Sequence, residues 1–235
     1  LAGVVGSDMA HADSGVPLIV PILIGLAIGL IFGLANGSLI AYLDAPAFIV
    51  TLGMTSIARG IAYIYTQGSP IIDLSDEFKF IGQGSIGEVP FPVFIFLGII
   101  VLFVIILHMT KMGRYILATG NNEAAAVASG VKVKRVKLFV YCVLGLLSGY
   151  AGLLLSSRTS SAVPNAASGY ELDAIAAAVI GGTSTAGGVG TMYGTVVGIL
   201  ILGILSNGLD LLNVSSYIQQ VVKGIVIIAA VLLDV

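Results

Sequence analysis

Val16-Pro-Leu-Ile-Val-Pro-Ile-Leu-Ile-Gly-Leu-Ala-Ile-Gly-Leu-Ile-Phe-Gly-Leu-Ala-Asn-Gly-Ser-Leu-Ile-Ala-Tyr42 runs without a single charged side chain. A helix that crosses a bilayer needs about 20 mostly apolar residues, and this stretch supplies them with turns to spare. Outward from it the pattern repeats. Val93–His108, extended by Phe91 and Met109, and Leu138–Leu155 are comparably apolar, and Met192–Leu205 with its flanks and Tyr217–Leu233 follow. A weaker run, Ala47–Tyr65, carries Arg59 at its middle. Leu172–Gly182 is apolar but too short to cross upright as a full helix. Strand-like alternation is nowhere sustained, which disfavours an outer-membrane barrel. The expected fold is all-α: a polytopic transmembrane helical bundle.

Composition agrees. Of 235 residues, 57% are hydrophobic and 9% charged, against about a quarter charged in a soluble domain. Mean hydropathy is +1.09. Ten basic and twelve acidic side chains cannot clothe a soluble fold of this size, so a soluble enzyme, a nucleic-acid binder and a disordered chain are excluded. The single cysteine, Cys142, rules out a disulfide framework and a multi-cysteine metal site; in its apolar run it reads as a small buried hydrophobe.

Charge then orients the spans. Lys111, Arg114, Lys132, Lys134, Arg135 and Lys137 lie between the third and fourth runs with only Glu123 opposing them. Such loops stay in the cytoplasm. Gln67–Glu88 holds Asp73, Asp76, Glu77 and Glu88 against Lys79 alone, and is expected outside. Counting back puts Asp8, His11 and Asp13 outside too. Leu1–Gly6 reads as the last turn of a helix begun upstream. With no initiator Met, basic n-region or cleavage site, the chain is expected to be a fragment that lacks earlier spans.

Small residues mark the packing. Gly25, Gly29, Gly33 and Gly37 recur every fourth position and form a slowly winding seam, a device that lets helix backbones approach in lipid. Gly145, Gly149 and Gly152 repeat it, as do Gly190, Gly194 and Gly198. Close packing is preferred here to a sliding surface.

The densest glycine stretch, Gly181-Gly-Thr-Ser-Thr-Ala-Gly-Gly-Val-Gly190, fails as a phosphate loop because no Lys follows its glycines, and fails as a dinucleotide fingerprint on spacing. It is left as either a break between two helical pieces within the membrane or an ordinary interhelical loop. Glu171 and Asp173 are read as acids favouring a helix N-terminus rather than as an acid–base pair. Arg59 is either an intramembrane charge facing a bundle interior or an interfacial residue beside a break at Gly60. His11 and His108 are too isolated for a metal site. Asn36-Gly-Ser38 and Asn213-Val-Ser215 match the glycosylation pattern by chance.

The most specific segment is Gly113-Arg-Tyr-Ile-Leu-Ala-Thr-Gly-Asn-Asn-Glu-Ala-Ala-Ala-Val-Ala-Ser-Gly130. Asn121 or Asn122 can cap a short helix, with Glu123 in its first turn. Ala124–Ala128 are good helix formers, and Gly130 can close the helix in a left-handed cap. A short helix with a small apolar face, presented by the most basic loop, suits a groove on a cytoplasmic partner.

This segment resembles the Glu-Ala-Ala coupling loop of ATP-binding-cassette importer permeases. Gly113-Arg-Tyr, Gly120-Asn-Asn-Glu-Ala-Ala, Tyr170-Glu-Leu-Asp-Ala-Ile-Ala-Ala, the Gly181–Gly190 stretch and Asn207-Gly-Leu narrow the likeness to monosaccharide permeases of the ribose and galactose class. Ala47-Phe-Ile-Val-Thr-Leu-Gly, Arg59-Gly and Gly68-Ser-Pro fit as well. Glu123 to Gly130 spans seven positions where the broader importer motif has six. Family members also carry further N-terminal helices, so residues 1–235 correspond to the C-terminal two-thirds of a single permease domain.

The resemblance implies a membrane-spanning subunit of a sugar importer in the bacterial inner membrane, without enzymatic activity or cofactor of its own. Implied partners are a second permease copy, cytoplasmic ATP-binding subunits, an external sugar-binding protein and membrane lipid. Arg114, Asn121, Asn122, Glu123, Ala124, Ala125 and Gly130 would couple to the ATPase. Thr51, Thr55, Arg59, Gly181, Gly182 and Thr183 would line the translocation path. Rival readings are a permease of this scaffold for a branched-chain amino acid or a sugar-derived signal, a secondary transporter, and a membrane enzyme. The secondary transporter lacks an ion site, since Arg59 has no evident carboxylate partner; the enzyme lacks a nucleophile–base pair. If Leu172–Gly182 crosses with the help of the glycine stretch, Val235 ends in the cytoplasm, which is the preferred model.

Overall fold

The computed structural model describes residues 1–12 and 15–234. Asp13, expected outside, and Val235, expected in the cytoplasm, lie outside the described residues. Eleven helices are described: α1 Ala2–Met9, α2 Ile19–Tyr42, α3 Ala47–Thr66, α4 Asp76–Gln83, α5 Phe91–Val104, α6 Lys111–Asn121, α7 Glu123–Ala128, α8 Val133–Thr159, α9 Tyr170–Ile180, α10 Met192–Leu211 and α11 Ser216–Asp234. Among the described residues, the sheet content is one antiparallel pair, β1 Ser85–Ile86 and β2 Val89–Pro90. Five helical segments are long and apolar enough to cross a membrane: Ile19–Tyr42, Ala47–Thr66, Phe91–Met109, Val133–Thr159 and Met192–Leu211; α11 adds a shorter apolar stretch, Ser216–Ala230. The fold is the all-α polytopic bundle that the apolar runs predict.

The chain groups into two compact units, residues 1–97 with 134–167, and residues 98–133 with 168–235. In the first, α2 and α8 pack along the glycine seam. A Cβ on Gly29 would collide with the Gly145 carbonyl oxygen, one on Gly33 would stand 2.5 Å from that of Tyr141, and one on Gly149 would stand 2.7 Å from that of Gly25. Low numbers on α2 meet high numbers on α8, so the helices run antiparallel. Cys142 lies at this seam, its Cα against Gly33, and is half-buried rather than the buried hydrophobe its apolar run predicts. α1 joins α8 through Gly3 and Gly152.

The acidic segment 67–88 is ordered. Ser75 caps α4, its Oγ accepting the Phe78 amide at 3.3 Å. Ser157 of α8 is fully buried; its hydroxyl donates to the Phe78 carbonyl at 2.6 Å and accepts from the Gly82 amide at 2.8 Å. Phe78, Leu74, Ile81, Ala10 and Leu153 form the core beneath it.

In the second unit α5 runs into a wide π-type turn over Ile105–Met109 before α6 begins. α9 and α10 form an antiparallel hairpin: a Cβ on Gly181 would collide with Gly194, and one on Gly198 with Ala177. Of the two readings left open for Gly181–Gly190, a break between two helical pieces near the C-terminal third and an interhelical loop, the loop is found. The glycine stretch reverses the chain between two helices that pack face to face, because small residues on both let the backbones touch. α3 is likewise continuous through Gly60, so the break proposed beside Arg59 is not there.

Candidate coupling and translocation site

Thr110 starts the coupling region. Its Oγ1 accepts the Gly113 amide at 3.2 Å, capping α6, and donates to the Ile106 carbonyl at 2.6 Å. Gly113 is packed so tightly against the preceding turn that any Cβ would strike the Leu107 carbonyl oxygen. Arg114, one residue on, is exposed. α6 ends at Asn121, and Asn122 adopts an extended conformation (φ −156°, ψ 105°) that turns the chain into α7. Between the two asparagines, Asn122 is the cap: its Oδ1 accepts the Ala125 amide at 2.9 Å.

Glu123 opens the first turn of α7, where its charge suits the amide-rich end. At the other end Gly130 has φ +84° and its amide reaches the Val127 carbonyl at 2.9 Å, the left-handed exit the sequence predicts. Of the six helical residues only Ala126 is buried; Ala124 and Ala125 are exposed, and Val127 is 57% exposed. A capped helix this short cannot stabilise itself in isolation. Its apolar outer side therefore offers a ready-made, sterically plain contact.

The glycine stretch reaches this same corner. A Cβ on Gly120 would lie 2.9 Å from the Gly188 amide nitrogen, and one on Gly188 would lie 2.8 Å from the Cβ of Asn121. Gly182, Gly187 and Gly188 all have positive φ. Turns 181–190 are closed by Thr183 to Ala178 at 3.0 Å and Ser184 to Val189 at 3.0 Å. Thr191 then caps α10, accepting the Gly194 amide at 3.1 Å. Thus Gly181, Gly182 and Thr183 stand at the α6–α7 end of their unit, and a cleft of about 260 Å³ lies among Leu107, Ile116, Thr183, Gly188 and Met192.

Thr51, Thr55 and Arg59 belong to the first unit, one turn apart on α3. The Thr51 and Thr55 hydroxyls donate to their own helix, to the carbonyls of Ala47 and Thr51, both at 2.9 Å. Arg59 is half-buried in a continuous helix.

Glu171 and Asp173 both lie in the first turn of α9, as expected, and Asp173 has a further partner. Glu171 does serve the start of α9, its Oε2 accepting the Gly169 amide at 3.0 Å. Asp173 also binds Lys223 of α11, Nζ to Oδ2 at 2.8 Å. Sequence reasoning weighed Arg59 as the intramembrane cation and passed over Lys223, although Lys223 interrupts the run Tyr217–Leu233 in the same way. His108 lies against the Tyr193 ring, centroids 5.9 Å apart.

Comparison with known proteins places this geometry. The chain is 49% identical over 201 residues to the ribose import permease protein of Bacillus subtilis strain 168, covering 85% of this chain and 62% of that protein. It is 44% identical over 238 residues to the ribose import permease protein of Haemophilus influenzae, covering 100% of this chain and 73% of that protein. It is 40% identical over 199 residues to the L-arabinose transport system permease protein of Escherichia coli K12, covering 85% of this chain and 61% of that protein. The chain thus spans about three-fifths of the length of the first curated relatives it matches. No solved structure matches. The relatives are permease components, not enzymes, and the five apolar helices make this chain a multi-pass protein of the bacterial inner membrane. With residues 2–231 matched to its model, the chain belongs to the permease family described as branched-chain amino acid transport system / permease component.

Proposed function

We propose that this chain is the coupling-helix-bearing part of the membrane-spanning subunit of an ATP-driven sugar importer. The observation that carries the reading is α7. It is capped by Asn122, released by Gly130, and held by Ala126 alone, with Ala124, Ala125 and Val127 turned outward. Cytoplasmic ATP-binding subunits would receive that surface, with Arg114, Asn121 and Glu123 at its border; ATP hydrolysis resides in those subunits. Residues 1–235 act as one permease domain, paired with a second permease copy in lipid and supplied from outside by a sugar-binding protein.

Thr51, Thr55 and Arg59 on α3 of the first unit, and separately Gly181, Gly182 and Thr183 beside the coupling helix in the second, would each line the translocation path. Sugar is favoured over a branched-chain amino acid because the relatives named above are ribose and L-arabinose permeases. The test is ATP-dependent uptake by the complete permease, reconstituted with its ATP-binding and external binding partners. Uptake of ribose or L-arabinose is the expected result; uptake of leucine and of neither sugar contradicts it.

A further inference from the structure

The ion pair between α9 and α11 lies at an unusual depth. α9 has 11 residues, about 16 Å at 1.5 Å per residue, roughly half of a 30 Å hydrocarbon core. Its C-terminal end is fixed at the coupling corner, where Gly181 touches Gly194 and Gly188 touches Gly120. Asp173, in the first turn of α9, is therefore level with the middle of α10. A cleft of about 390 Å³ confirms the level: Asp173, Ala174 and Ala177 face Thr195, Ile199, Leu202, Gly203 and Ser206 across it. Leu202 lies about 15 Å along α10 from Met192.

A carboxylate and an ammonium at half-depth are costly, and such groups mark solute or ion paths far more often than packing. This pair is open as well: Lys223 is 27% and Asp173 33% exposed, so neither is sealed between helices. Lys223 engages Oδ2 only. Asp173 lines the cleft together with Ser206 and with Thr195, whose hydroxyl donates to the Thr191 carbonyl at 3.1 Å and keeps its acceptor side. A fixed carboxylate oxygen flanked by hydroxyls accepts from vicinal alcohols, and charge-assisted bonds of that kind are the stronger sort. The cleft volume falls within the range of about 300–1,000 Å³ usual for small-molecule sites.

We propose that Asp173, oriented by Lys223, is the mid-membrane binding residue for a hydroxyl-rich solute, with Thr195 and Ser206 completing the site. The inference rests on the sugar-importer reading and adds to it a place in the membrane where the sugar is held. Lys223 is a positioning residue: it holds the carboxylate through Oδ2 without touching the solute.

The competing role is a staple joining α9 to α11, and charge exchange separates the two. The complete permease with its partners would be compared as wild type, Asp173→Asn, and the double variant Asp173→Lys with Lys223→Asp. Readouts are thermal midpoint, ATP hydrolysis stimulated by the loaded binding protein, and ribose uptake. In assembled Asp173→Asn protein ribose uptake is expected to fall at least about tenfold, the loss of one hydrogen bond to a charged group, whereas Gly208→Ala, with open space around it on α10, should keep midpoint, stimulated hydrolysis and uptake at wild-type levels. The exchanged pair is expected not to recover. Recovery of uptake by the exchanged pair, or normal uptake by Asp173→Asn, would overturn the assignment. Should Asp173→Asn fail to assemble, Asp173→Glu keeps the charge; a raised KM for ribose in the folded protein supports the site, and an unchanged KM overturns it. A wild-type assembly that hydrolyses ATP but moves no sugar overturns the importer reading itself.

Discussion

Gly120 and Gly188 meet backbone to backbone: a Cβ added to Gly120 would lie 2.9 Å from the Gly188 amide nitrogen. The last turn of α6 and the α9–α10 loop are thereby in direct contact one step before the coupling helix. Gly188, at φ +78°, also has Asn121 against it. Gly188→Val should cost about 1–3 kcal/mol in backbone strain and contact, loosening the loop from α6. In the reconstituted permease, sugar uptake per ATP hydrolysed should fall. Gly208→Ala, on α10 with open space around it, should leave the ratio unchanged.

Gly29 makes the converse test on the first unit. Its hydrogen faces the Gly145 carbonyl oxygen and the Gly149 Cα, so Gly29→Leu must force α2 from α8. The expected outcome is a lowered thermal midpoint and loss of assembled protein on gel filtration. Gly53→Ala on α3 meets nothing within 4 Å and should be neutral or slightly stabilising, by up to about 1 kcal/mol. Equal melting of Gly29→Leu and wild type would mean the seam is not an interface.

Asn122 is the cap of α7, and its loss should be felt there first. Asn122→Ala removes the bond to the Ala125 amide and should destabilise the helix by about 1 kcal/mol, whereas Asn122→Asp preserves an acceptor. Hydrogen exchange at Ala125 and Ala126 checks this: several-fold faster exchange in the Ala variant, wild-type protection in the Asp variant.

The parts of this fold that read directly from sequence are those set by local chemistry. Ala47–Thr66 and Phe91–Met109 follow the apolar runs to within a residue or two, since a spanning helix must satisfy its own backbone. Asn122 and Gly130 were visible because caps use residue types that suit them. What escaped was set by partners distant in the chain. Gly187 and Gly188 are small because Gly120 and Asn121 lie against them, and no window of sequence around Gly181–Gly190 holds that fact. Asp173 is the helix-start acid it reads as, but its partner Lys223, fifty residues on, is not legible beside it. Ser157 gives no signal in sequence, being one serine among several at the polar end of α8 until Phe78 and Gly82 close over it.

The glycine contact bears on sidedness. Residues 181–190 share the corner of the basic loop, and with that loop expected in the cytoplasm, α10 is expected to run outward and residues 212–215 to emerge outside. A single cysteine introduced by Asn213→Cys, with Cys142→Ser as background, should react with an impermeant maleimide added outside intact cells. Protection there, with labelling only after lysis, would reverse the orientation of α10 and α11.

The central claim is that α7 receives the force of ATP hydrolysis. Ala125 is exposed on that helix, with its amide held by the Asn122 cap. Overpacking a docked surface typically costs about 1–3 kcal/mol, up to roughly a hundredfold in affinity. The direct measurement is ATP hydrolysis stimulated by the loaded binding protein in the reconstituted permease carrying Ala125→Arg, with sugar uptake followed in parallel. The account predicts a folded permease that has lost both stimulation and uptake by tenfold or more. Stimulation and uptake at wild-type levels in Ala125→Arg would contradict it and leave Glu123–Ala128 an ordinary cytoplasmic helix.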